Sequence, residues 1–227
     1  MKLKFEFWVA AALIVGPLSH SAIGAEQDLS TNARLLAAAR SGDAPALTRA
    51  LANGASANAR NRLGETALLV AIKRGDLPMA QVMLDAGADV NQGAVNGVTP
   101  LMAAAFGGHA AMAATLIARG ADLNVRDRLK KTAMVYAAGE GHTEIVQLLL
   151  AKGIDANAIY DNDLTALMWA AGFGRNATVK ALLDAGARAD LRDNRGKTAL
   201  DIARDNQHAA TATLLETAGR GGHVARG

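Results

Sequence analysis

Residues 99–124 read TPLMAAAFGGHAAMAATLIARGADLN: a threonine, a short apolar run, a Gly-His pair, a second apolar run and a Gly-Ala-Asp turn. A threonine directly ahead of an apolar run is placed to cap a helix through its hydroxyl. The Gly-His pair then turns the chain into a second helix. Gly120, after that helix, is placed to stop it in left-handed backbone. The stretch predicts two short helices joined by a tight turn, with a loop to follow.

The same unit recurs in both directions. Gly54, Gly87, Gly120, Gly153, Gly186 and Gly219 are spaced 33 residues apart, and Thr66, Thr99, Thr132, Thr165 and Thr198 keep the same step. A degenerate earlier copy, NARLLAAARSGD, starts near Asn32. In HTEIVQLLLAKG the apolar residues Ile145, Val146, Leu148, Leu149 and Leu150 cover more than one face, which suits a helix sandwiched between neighbouring copies. A period of this length predicts a stack in which each copy buries its faces against its neighbours. Such a stack offers an extended surface and no enclosed pocket, so binding a macromolecule, rather than catalysis, is the expected activity.

Thr99-Pro100-Leu101 with Ala104-Ala105 and Gly108-His109, followed by Gly120-Ala121-Asp122-Leu123-Asn124, resembles an ankyrin repeat, and the likeness extends from Asn32 to about Gly219. The resemblance implies an all-α solenoid of six 33-residue helix-turn-helix repeats with hairpin-like loops. The repeats are expected at about 30–60, 61–93, 94–126, 127–159, 160–192 and 193–218. Two departures stand out. Thr-Pro survives only at Thr99-Pro100, and the family's frequent histidine three positions after the threonine is replaced by Leu69, Met102, Val135, Met168 and Asp201. Polar bracing between repeats is therefore expected to be weak, with packing of Leu, Met and Ala in its place and stepwise unfolding along the array.

Ahead of the repeats, residues 1–25 combine Lys2 and Lys4, an apolar stretch from Phe7 to Leu18 and small residues before Glu26. This is the pattern of a secretory signal peptide cleaved after Gly24 or Ala25. The apolar stretch is too short to span a bilayer, which needs about 20 residues, so no transmembrane helix is expected after cleavage. The chain has no cysteine, so neither disulfides nor lipid-modified cysteine can form. The resulting expectation is a monomeric protein, periplasmic or secreted. The triplet Asn176-Ala177-Thr178 has the form of a glycosylation acceptor, which weighs little by itself.

In ankyrin proteins the target docks on the loop tips and on the inner face of the first helices. By register, the resemblance places partner binding on Arg60, Arg62, Lys73, Arg74, Val95, Phe106, Arg126, Arg128, Lys131, Ile159, Leu164, Phe173, Arg192, Arg195 and Lys197. Phe106 and Phe173 are taken as matching positions two copies apart. Over the five full copies, loop and helix positions on this face carry net charges of +3, 0, +2, −1 and +2, whereas the whole chain carries +3. Concentrated positive charge alternating with apolar copies suits a folded protein partner with an acidic rim. A solvated loop edge would also be rich in arginine.

Other chemistry finds no support in the residues. Gly196-Lys197-Thr198 ends like a phosphate-binding loop, but Leu191 occupies the place of its first glycine. His109 and His142 lie one repeat apart, about 10 Å by the usual helix spacing, too far to share a zinc ion. The resemblance makes both of them turn residues. No nucleophile elbow, metalloprotease motif or paired-carboxylate pattern occurs, so no catalytic residue, cofactor or metal site is expected. The small net charge and the export signal argue against nucleic acid, and leave anionic lipid or polysaccharide as the better non-protein candidate for the basic stripe. Residues 219–227, GRGGHVARG, have no apolar face and are expected to form a flexible tail. Accessory protection of a periplasmic stress-response enzyme and action as a secreted effector are alternative roles for the same binding surface.

Overall fold

The computed structural model describes residues 30–224, with side chains as far as Gly219. The signal pattern and the last three residues lie outside that range. Among the described residues twelve α-helices fall into six consecutive pairs: α1 Thr31–Ser41 and α2 Ala44–Ala52, α3 Ala67–Lys73 and α4 Leu77–Asp85, α5 Pro100–Gly107 and α6 Ala110–Ala118, α7 Ala133–Glu140 and α8 Thr143–Ala151, α9 Ala166–Gly172 and α10 Asn176–Asp184, α11 Ala199–Asp205 and α12 Ala209–Val224. There is no strand among the described residues, only an isolated bridge between Arg60 and Thr66. Odd-numbered helices pack on one another from α1 to α11, and even-numbered helices form a second layer behind them.

Each full repeat begins as its threonine predicts. The hydroxyls of Thr66, Thr99, Thr132, Thr165 and Thr198 accept the N–H groups of Leu69, Met102, Val135, Met168 and Asp201. The sandwiched element, however, is the first helix of each pair. In α3 every residue from Ala67 to Ile72 is buried, whereas α8 buries Ile145, Val146 and Leu149 and leaves Leu148 and Leu150 half-exposed. The first helices from α3 to α9 have neighbours on both sides and a second helix behind, and their alanines let the backbones approach closely. Among the described residues the core runs from Leu35 to Leu215, within the repeat array.

Polar bracing between repeats is not weak, contrary to the sequence expectation. Asn58 donates to the Gly87 carbonyl and accepts the N–H of Asp89, Asn91 does the same with Gly120 and Asp122, and Asn157 with Gly186 and Arg188. A second brace starts at the turn inside four of the repeats. Arg74 donates to the Arg40 carbonyl at 2.7 Å, Arg175 to Gly139 at 2.8 Å, and ring nitrogens of His142 and His208 lie 3.0 and 3.1 Å from the carbonyls of Phe106 and Gly172. The missing family histidine has been replaced by bonds from other positions. At the front, Asn32 accepts the N–H of Ser56 at 2.8 Å.

Two further expectations change. Helix α12 runs past Gly219 to Val224, so part of the expected tail is helical. Gly54, Gly87, Gly120, Gly153 and Gly186 all adopt positive φ, but Gly219 does not; it lies inside α12. The Asn176-Ala177-Thr178 triplet is used internally. Thr178 is fully buried with its hydroxyl 2.8 Å from that of Thr143, and the Asn176 amide accepts the Thr211 hydroxyl.

Candidate functional site

Five loops, residues 61–65, 94–98, 127–131, 160–164 and 193–197, join one repeat to the next as narrow fingers. Each closes through the N–H of its first residue, which donates to the carbonyl of its fifth at 2.9–3.0 Å. The fourth position needs left-handed backbone. Glycine supplies it at Gly64, Gly97 and Gly196, while Lys130 and Asp163 adopt it at φ 57 and 58. Three fingers are stiffened from within: one oxygen of Asn61, Asp127 or Asp193 accepts two backbone N–H groups of its own loop. Neighbouring fingers are also joined, Val95 N–H to the Leu63 carbonyl at 2.8 Å, Arg128 to Asn96 at 2.9 Å and Asn194 to Asn162 at 3.1 Å.

Much of the positive charge expected on this face is already engaged. Arg60 donates to the carbonyls of Gly64 and Gly93, Arg74 to Arg40 and Arg192 to Gly196. Lys73 pairs with Glu65 at 2.7 Å, Arg195 with Asp193 and Lys197 with Asp205. Burial pushes the Glu65 carboxyl up, but its bonds to Lys73 and Asn61 outweigh this and hold it below the ordinary value. Arg62, Arg126 and Arg128 are exposed and have no carboxylate partner among the described residues.

One register explains where charge stays open. The last finger residue reaches toward the residue eight positions on, at the end of the following first helix, and the salt bridges Lys73–Glu65 and Lys197–Asp205 are this pair with the charges exchanged. In the fourth repeat the partner position is Gly139, which has no side chain. Lys131 turns to the aromatic rings instead, with its ammonium 5.4 Å from the ring centre of Tyr136 and 5.0 Å from that of Trp169. Phe106 meets Tyr136 edge-on at 5.9 Å, and Trp169 stacks on Phe173 at 6.1 Å. Side chains of three successive repeats thus form one aromatic ladder across the inner face. The Tyr136 hydroxyl donates to the second oxygen of buried Asp127 at 2.5 Å. Burial, and then this bond, push the phenol above its ordinary value near 10.

The family profile of ankyrin repeats, three copies long, matches residues 35–127, 104–193 and 134–221. The chain belongs to the ankyrin repeat family. No curated protein matches the sequence. Ankyrin repeats are generally non-catalytic, and the array is a protein–protein interaction module.

On the ankyrin array, the residues expected to contact a partner divide into groups. Val95, Phe106 and Ile159 are exposed apolar positions, and Arg62, Arg126 and Arg128 are open cations. Leu164 is half-buried and packs against the core. Phe173 falls one residue past the register of Phe106, so it caps the end of α9 and stacks on Trp169 rather than presenting its ring as Phe106 does. Tyr136 and Trp169 were missed, although they stand one 33-residue step apart in VYAAGEGH and MWAAGFGR. Leu63 and Leu129, at the fingertips, are more exposed than any apolar residue that was singled out.

The described residues contain no group of three or more potential metal ligands and no helix long and apolar enough to cross a membrane. Gly196-Lys197-Thr198 forms the end of the fifth finger, with Lys197 bound to Asp205 and Thr198 capping α11.

Proposed function

We propose that the array captures a folded protein partner with an acidic rim on the inner face of its first helices, and that it does so as a monomer in the periplasm or outside the cell. The observation that carries this reading is the coincidence, in the fourth repeat, of open cations with the aromatic ladder. Among the described residues Arg126, Arg128 and Lys131 have no carboxylate partner, and Lys131 lies over the rings of Tyr136 and Trp169, with Phe106 edge-on to Tyr136. Open charge raises the rate of encounter, and well-packed aromatics supply the affinity that holds the complex. The export reading is supported by the basic start, short apolar stretch and small residues before Glu26, and is compatible with the absence of cysteine.

The test is capture from the exported fraction of the source cells with the tagged array, at low and high salt, beside a variant carrying Arg126→Glu, Arg128→Glu and Lys131→Glu. One enriched protein that is lost in the variant and weakened by salt is expected. Equal capture by both proteins would remove the fourth repeat from the contact. A reporter enzyme active only after export, fused behind Glu26, separately checks the location.

A further inference from the structure

Three exposed apolar side chains stand away from the inner face. Leu63, Val95 and Leu129 occupy the turns of the first three fingers and are 65%, 50% and 62% exposed. The backbone bonds from Val95 to Leu63 and from Arg128 to Asn96 hold these fingers side by side, so the three turns form one row. The fold does not require leucine there. At the register of Leu63 and Leu129 the other fingers carry Asn96, Asn162 and Arg195.

Cations flank the same turns. Arg62 and Arg128 have no carboxylate partner among the described residues, and Lys130 is exposed with its ion pair to Asp161 of the next finger. The acids of these fingers face inward: Glu65 is held by Lys73 and Asn61, and Asp127 is buried under Tyr136. The pattern ends at the fourth finger, whose turn carries Asp161 and Asp163, and the fifth finger ties Arg195 to Asp193. Leucines at protruding turns, flanked by open arginines and bounded on one side by acids, fit a flat partner that is anionic at its surface and apolar beneath.

We propose that the first three fingertips dock the array on an anionic lipid bilayer. Leu63, Val95 and Leu129 enter the interfacial layer, and Arg62, Arg128 and Lys130 lie against the phosphate headgroups. The fourth finger, being acidic, stays clear, and the inner face remains open. This docking shares Arg128 with the protein capture proposed above and is otherwise independent of it.

Vesicle sedimentation of the array from Glu26 onward, which contains every core residue among the described residues, tests the proposal. The probes are vesicles of phosphatidylcholine alone and of phosphatidylcholine with phosphatidylglycerol. Sedimentation is expected with the anionic vesicles only, falling as salt rises. Leu63→Asn with Leu129→Asn uses a residue already found at that register, so the fold persists, as circular dichroism will show. Partitioning should drop roughly tenfold or more as the apolar contact is lost. Arg62→Ala with Arg128→Ala should lower it by about fivefold per arginine and flatten its salt dependence. Phe106→Ala, on the inner face, should leave it unchanged. Equal binding to neutral vesicles, an unaffected leucine variant or a loss with Phe106→Ala would each overturn the proposal; no binding to either vesicle would also do so and would return the tips to a protein partner.

Discussion

The ammonium of Lys131 stands 5.0 Å over the ring of Trp169, so a finger residue of the fourth repeat is tied to a helix of the fifth. A cation over an indole contributes about 0.5–2 kcal/mol, more as water is excluded. A double-mutant cycle with Lys131→Met and Trp169→Leu, read by urea unfolding, should return a coupling of about 0.5–1 kcal/mol. A coupling indistinguishable from zero would reduce the pair to simple proximity.

Tyr136→Phe should be costly for a different reason. It removes the hydroxyl that satisfies the second oxygen of Asp127, a residue 6% exposed. An abandoned buried acceptor costs about 1–3 kcal/mol, more when charged. Urea unfolding should show that loss, and adding Asp127→Asn to it should recover part of the stability by removing the unpaired charge.

Two glycines should respond in opposite directions to alanine. At Gly97 φ is +83 and an added Cβ would lie 2.9 Å from the Asp127 Cα, in the backbone of the next finger. Left-handed strain alone is worth about 1–2 kcal/mol, so Gly97→Ala should lower stability by at least that. Gly139 is helical, and a Cβ there would make ordinary contacts, 3.6 Å to Phe173 and 3.8 Å to Trp169. Gly139→Ala should therefore be neutral or stabilising by up to about 1 kcal/mol. Thermal unfolding of both variants decides the matter.

Both tyrosines of the chain, Tyr136 and Tyr160, have phenols raised above the ordinary value near 10, in each case first by burial. The fold favours the neutral phenol. Its contribution is complete below the ordinary value and is lost as pH rises through the folded one. Phenolate absorbance should therefore appear late and together with loss of helical signal. Ordinary titration near pH 10 with the helices intact would contradict the buried placement.

The repeat and its helix boundaries were legible because the signals are local: a threonine hydroxyl reaches only to the N–H three residues on, and a left-handed glycine ends its own helix. Neighbour contacts were harder to read. Nothing in Arg60, Arg74 or Arg192 as isolated letters says that each will spend its guanidinium on a carbonyl, and the difference between open and engaged cations decides the candidate site. Lys131 shows the limit best. Its role follows from the absence of a side chain at Gly139 and the presence of a ring in the next repeat, and both must be aligned with it before the ladder is visible.

The paired bonds of Asn58, recurring at Asn91 and Asn157, reach a carbonyl 29 residues ahead and an N–H 31 residues ahead, always in the next copy and never beyond it. The three junctions built this way are consequently interchangeable with one another. The chain can lengthen or shorten only in whole units: a duplicated repeat inserted after any such asparagine finds both of its bonds waiting, whereas an insertion of any other length finds neither.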